Sequence, residues 1–228
     1  MNKALIRLKK GVTALLICTI AFALGACNRT DGGDSLGDTL SSFSYEAGNW
    51  DGNIYSSNFL GFKVTMPDNW TAASEEEIST EKENIINDSL ASSDASREEI
   101  ERGIIYEFKL TNDATYSYVN VVLKDMDIVY SMAYSEEDFM NVYRQNMQQM
   151  NVGDMRISAM SDPQWVNLAG NKYYMSEMEY SYNNTTTYQR IYLRKIGTFM
   201  ENLTMSVVDK EEFKEIESMF SPMDTTNN

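Results

Sequence analysis

With no histidine in 228 residues, and with its only two cysteines, Cys18 and Cys27, near the amino terminus, this chain must do any chemistry with tyrosines, arginines, lysines, hydroxyls and carboxylates. That removes Ser-His-Asp and Cys-His catalysis, His-ligated metals and the usual neutral-pH proton shuttle. The richest set of remaining groups lies in two runs, Lys172 to Tyr182 and Thr185 to Arg194, separated by Asn183-Asn184. Asparagine tolerates the positive φ of a two-residue hairpin turn, so the runs read as paired strands with Tyr182 opposite Thr185. Counting back sets Glu179 against Tyr188, Glu177 against Arg190, Met175 against Tyr192 and Tyr173 against Arg194 on one face. The other face, with Tyr174, Met178, Tyr180, Ile191 and Leu193, reads as core. Tyr173, Glu177, Glu179, Tyr188, Arg190, Tyr192 and Arg194 form a candidate binding face, because Tyr and Arg are enriched at interaction hot spots. The same cross-strand pairs also stabilise a sheet by about 0.2–1 kcal/mol each, so a purely structural role competes with binding.

Other spacings are weaker. Ser79-Thr80-Glu81-Lys82 matches the S-x-x-K of penicillin-binding proteins and serine β-lactamases. However, Lys195-Ile196-Gly197 departs from their K-T-G element and no S-D-N occurs, so the groups that orient substrate are missing. Asp125 and Asp127, Glu75 to Glu77, and Glu136 to Asp138 offer oxygen to calcium, but none has the spaced ligands and glycine of an EF-hand loop. Acids at helix starts are expected from the dipole alone. Fifteen methionines invite Cu(I) handling, yet Met147, Met150, Met178, Met205 and Met219 fall on core-facing positions, where methionine fills gaps. No catalytic residue, metal or cofactor is expected.

The amino terminus fixes an address. Lys3, Arg7, Lys9 and Lys10 precede an apolar run that ends in Leu24-Gly25-Ala26-Cys27, too short for a comfortable membrane span. These four residues resemble the lipobox of bacterial lipoprotein signal peptides. The resemblance implies cleavage between Ala26 and Cys27, thioether lipidation of Cys27, and acylation of the new terminus with a fatty acid such as palmitate. With Cys18 removed and Cys27 lipidated, no disulfide, Cys-type zinc site or redox pair is left to the mature domain. The formal charge is −15 and becomes more negative once the basic leader is lost, which disfavours nucleic acid and anionic headgroups as partners.

Residues 1–26 are thus read as signal peptide, 27–48 as lipidated cysteine and Gly/Ser/Asp-rich tether, 49–221 as one domain and 222–228 as a disordered tail. A flexible tether of about 20 residues spans about 25 Å r.m.s.. Within the domain, short strands are expected at Asn53–Ser57 and Leu60–Met66. A helix capped by Ser74 and Glu77 follows, interrupted near Ala91 to Ser96. Strands at Ile104–Leu110 and Tyr116–Leu123 come next, then a helix from Ser135 to Met150 with a stripe of Phe139, Val142, Tyr143, Asn146, Met147 and Met150. A meander of strands and a terminal helix, capped by Asp209 and burying Phe213, Ile216, Met219 and Phe220, close the chain.

The order predicts an α+β fold, an antiparallel β-sheet flanked by helices. Trp50-Asp51-Gly52-Asn53-Ile54-Tyr55, Leu60-Gly61-Phe62 and Pro67-Asp68-Asn69-Trp70 resemble the opening of PsbP-like domains in lipoproteins of Gram-positive bacteria, and the element order is similar to the PsbP-like α/β/α sandwich. That resemblance implies docking onto larger assemblies more than turnover. The expectation is a non-catalytic, extracytoplasmic binding or accessory module, lipid-anchored at the cell membrane of a Gram-positive bacterium, with an unidentified protein partner. The alternatives are a small-ligand receptor feeding a transporter and a carboxylate-based cell-wall hydrolase.

Overall fold

Alternation of apolar and polar residues over long runs generates the central element of the computed structural model, an eight-stranded sheet. The structure describes residues 44–92, 95–149, 155–182 and 185–223; the leader, Cys27 and most of the presumed tether lie outside them. In chain order the elements are β1 (Asn49–Asp51), β2 (Ile54–Ser57), β3 (Phe62–Thr65), β4 (Thr71–Ala72), α1 (Glu75–Ser92), α2 (Arg97–Gly103), β5 (Ile104–Asn112), β6 (Ser117–Asp125), α3 (Asp127–Ala133) and α4 (Glu136–Gln149). They continue with β7 (Arg156–Met160), β8 (Gln164–Leu168), β9 (Asn171–Tyr182), β10 (Thr185–Ile196), β11 (Phe199–Val207), α5 (Glu212–Met219) and β12 (Phe220–Pro222). The large sheet runs β4-β5-β6-β11-β10-β9-β7, with β8 also on β9, and a smaller sheet runs β1-β2-β3-β12. Every pairing in the two sheets is antiparallel.

Both faces of the large sheet are covered, which makes the protein an α+β sandwich. Phe108, Leu110, Val121, Tyr192, Leu203 and Met205 point to one side, where the small sheet contributes Phe62 and Val64 and α5 contributes Phe213, Ile216 and Met219. On the other side, Met140, Tyr143 and Met147 of α4 pack on Met178, Tyr180, Ile191 and Met200. There too, Ile85 and Ile86 of α1 and Ile100 of α2 pack on Ile104 and Val122. Three helices begin with the same device. Ser74 and Glu77, Ser96 and Glu99, and Ser135 and Asp138 exchange hydrogen bonds between side chain and backbone at the helix start, satisfying amide donors that the first turn leaves without partners.

The hairpin register expected from Asn183-Asn184 is found from Thr185 opposite Tyr182 through Leu193 opposite Tyr174; the turn residues and Met150 lie outside the described residues. The interruption expected near Ala91 to Ser96 is found: α1 ends at Ser92 and α2 starts at Arg97 behind the Ser96 cap. Several expectations need correction. Strands β1, β4 and β12 and helix α3 were not anticipated, and Phe220, expected on the terminal helix, is the first residue of β12. On α4 the buried residues include Met140, whereas Phe139 and Val142 are only half-buried. Asp209 does not cap α5: its carbonyl accepts from the Glu212 amide and its carboxylate from the Glu211 amide, forming a tight turn ahead of the helix. The domain also exceeds its expected bounds. Tyr45, assigned to the tether, packs edge-on against Phe59 with ring centroids 5.5 Å apart, and Pro222, assigned to the tail, belongs to β12.

Candidate functional site

The tyrosine-rich face of the β9–β10 hairpin is held by two ionic groups, one inside the fold and one at its rim. Inside, Glu201 of β11 is fully buried. Arg194 donates from Nε to its Oε2 at 2.7 Å, and Tyr173 donates its hydroxyl to Oε1 at 3.0 Å. Arg194 also donates to the Leu60 carbonyl at 2.7 Å and lies over the Tyr173 ring. Burial raises the Glu201 carboxyl above its ordinary range, and the attraction of Arg194 offsets only part of that. At the rim, Glu217 of α5 accepts from Arg190 at 2.6 Å and from the Tyr192 hydroxyl at 2.7 Å. Arg190 bonds Glu177 at 3.0 Å and stacks on Phe213, while Lys210 bonds Glu177 at 2.7 Å and sits over the Tyr188 ring. Burial alone would raise Glu177, but its bonds to Lys210 and Arg190 prevail and hold it below the usual carboxylate range. Glu179 accepts from the Ser158 hydroxyl at 2.8 Å.

This corrects the expected binding face. Tyr173 and Tyr192 are buried, Arg194 is spent on Glu201, and α5 lies across Arg190 and Tyr192, so the face is covered rather than open to solvent. Glu177, Glu179, Tyr188 and Arg190 at the rim, and Arg194 beside Glu201, keep partial exposure. The other spacings are likewise absorbed by structure. The Lys195 ammonium is bonded to the carbonyls of Ser131 and Tyr134, Glu77 and Asp138 cap helices, and Glu136 accepts from the Lys195 amide. Met147, Met178, Met205 and Met219 are buried. Among the described residues no group of three or more His, Cys, Asp or Glu is placed to hold a metal.

Three features escaped the sequence reading. The first is a bulge in β5 between Tyr106 and Phe108, which leaves Glu107 facing the same side as Phe108. Tyr55 donates to Glu107 at 2.8 Å, and Gly48 crosses Tyr55 so closely that a Cβ would collide with its ring. The second is a polar floor on the helix-covered face. Tyr118, Asn120, Thr187, Gln189 and Ser206 are buried on neighbouring strands, with Gln189 donating to the Tyr118 hydroxyl at 2.9 Å. Asn120 Oδ1, Tyr180 OH, Thr187 Oγ1, Gln189 Oε1 and Ser206 Oγ find no protein partner. Burial pushes the Tyr180 hydroxyl up to about 12. The third is the aromatic strand edge at β8. Trp165 is 41% exposed, faces Tyr174 at 5.1 Å between ring centroids and carries the Lys172 ammonium 4.6 Å above its ring.

No family model and no curated protein sequence matches the chain. Solved structures share its outline. A protein of Bacteroides thetaiotaomicron is 11% identical with a TM-score of 0.40, over 76% of this chain and 49% of its own, so this chain spans about half of that protein's length. Cyanobacterial PsbP (CyanoP) from Synechocystis is 11% identical with a TM-score of 0.40, over 81% of this chain and 98% of its own. LpqN of Mycobacterium tuberculosis, described as involved in cell envelope biogenesis, is 12% identical with a TM-score of 0.37, over 70% of this chain and 82% of its own. These are likenesses of shape, and no function follows from them. Among the described residues no helix is long and apolar enough to cross a membrane, which leaves strand-based crossing unaddressed.

Proposed function

We propose that the chain is an extracytoplasmic binding or accessory module, non-catalytic and held at the cell membrane of a Gram-positive bacterium by lipid on Cys27. The Leu24-Gly25-Ala26-Cys27 spacing supports the anchor. The observation that carries the docking role is the β8 edge: β8 is bonded to β9 alone among the described strands, and its exposed Trp165 is braced by Tyr174 and Lys172. Open strand edges take up partner strands, and a rigid exposed tryptophan is a typical anchor for a protein interface. Arg190 with Glu177 and Glu217, and Arg194 with Glu201, neutralise one another within the fold.

The test is crosslinking and affinity capture on intact membranes, comparing the native chain with Trp165→Ala/Tyr174→Ala and with Tyr188→Ala. A stoichiometric protein partner lost only by the Trp165 pair supports the reading; a partner retained by that pair and lost by Tyr188→Ala moves the surface to the hairpin rim. A second reading, a receptor for a small uncharged polar ligand, is favoured by the polar floor, whose unpartnered hydroxyl and amide oxygens offer neutral hydrogen bonds. A polyol or sugar that raises the melting temperature of the native chain but not of Gln189→Leu would select it.

A further inference from the structure

Helix α3 turns apolar side chains outward. Val129 and Met132, one turn apart, are 74% and 82% exposed. Beside them Tyr130 and Tyr134 are half-buried, with rings stacked at 5.8 Å between centroids. The helix is pinned to the β10–β11 turn: the Met126 amide donates to the Thr198 carbonyl at 3.0 Å and the Ser131 hydroxyl to the Gly197 carbonyl at 2.8 Å. Phe199, the first residue of β11, contacts both Phe59 and Tyr45. Helix α3 and the first described residues of the chain therefore share one end of the large sheet.

That end is also where the chain leads back toward Cys27, 17 residues before Ser44. Seventeen residues span at most about 60 Å even when fully extended, so lipid on Cys27 would keep α3 within reach of the bilayer. We propose that α3 is a bilayer-contact element, with Val129 and Met132 entering the boundary between headgroups and acyl chains and Tyr130 and Tyr134 at headgroup level. The inference rests on the lipid-anchored reading of Cys27. Two aliphatic side chains backed by tyrosines form a weak interfacial site, and tethering makes a weak site effective by raising its local concentration. Asp127 opens the helix and Asp125, Glu136, Glu137 and Asp138 flank it, against the Lys195 ammonium on the Ser131 and Tyr134 carbonyls, and this excess of negative charge favours uncharged lipid over anionic lipid. A protein partner has no reason to prefer the end from which the tether leaves.

The experiment uses the full mature lipidated protein in phosphatidylcholine vesicles containing nitroxide-labelled lipid. With Cys27 alkylated, a cysteine introduced as Val129→Cys or Met132→Cys is the sole thiol and carries a fluorophore. Thr186→Cys, on an exposed residue at the opposite end of β10, is the control. Quenching about threefold stronger at the two α3 positions than at Thr186→Cys, and weakened by adding Met132→Glu to the Val129→Cys chain, is expected. If the chain floats with the vesicles while all three probes remain equally unquenched, the contact is overturned and the anchor stands. If the native chain fails to float and behaves like Cys27→Ser, both fall.

Discussion

Arg194 and Glu201 show how a polar pair survives in a core. Glu201 has no exposure and its carboxyl is already raised by burial, so its charge depends on Arg194. Arg194→Met is expected to cost about 3–5 kcal/mol at pH 7, because it strands a buried carboxylate. A carboxyl raised in the folded state destabilises above its unfolded pKa, so the loss should shrink as pH falls through the raised value; denaturant melts at pH 7 and pH 5 measure this. Adding Glu201→Gln should recover much of the stability at pH 7. Glu177 has the opposite sign. It is held below its ordinary range, so its contribution is complete above the unfolded value and fades as pH falls below it. Glu177→Gln should therefore flatten the acid limb of the stability curve, and an unchanged limb would show that the Lys210 and Arg190 contacts contribute nothing.

At the level of elements, local chemistry was legible where it repeats. The β9–β10 register followed from a two-residue asparagine turn and ten residues of alternation on each side, and the start of α1 from Ser74 three residues ahead of Glu77, although the same reasoning misplaced a cap at Asp209. Short elements were not legible: β1, β4 and α3 have 3, 2 and 7 residues, too few to display a period. The β5 bulge was hidden for a related reason. One extra residue inverts the alternation, so Ile105 and Glu107 before it, and Phe108 and Leu110 after it, all face the small sheet. The β8–β9 turn allows a direct test. Ala169 and Gly170 have φ of 50° and 77°, and a Cβ on Gly170 would lie 3.4 Å from Pro222. Gly170→Ala should cost about 1–2 kcal/mol, read from the shift in denaturation midpoint. It should also loosen the β8 edge, read from faster amide exchange at Trp165.

For the molecule as a whole, the sequence carried the fold class but not what covers each face. Tyr173, Glu177, Arg190 and Arg194 look like a solvent-facing set because alternating polar residues usually mark the wet side of a sheet. Here α5 and the small sheet close over that side. The covered charges are tolerated because they are paired across strands or with Glu217 of α5. Nothing in the local pattern reports that the terminal helix folds back over β10. The proposed anchor belongs to this scale: Cys27→Ser should move the protein from the membrane fraction to the soluble fraction without changing its melting temperature by more than about 1 °C, since the described domain begins 17 residues later.

Pulling on the chain from the anchor would load the domain first at Tyr45 and Gly48, then at β1. This strand is bonded to β2 through only three residue pairs, beginning with Asn49 opposite Ser56, and tension at its amino end parts them one after another rather than all together. Under mechanical load the small sheet is therefore a fuse: its edge peels at low force and lengthens the leash, while the eight-stranded sheet stays folded.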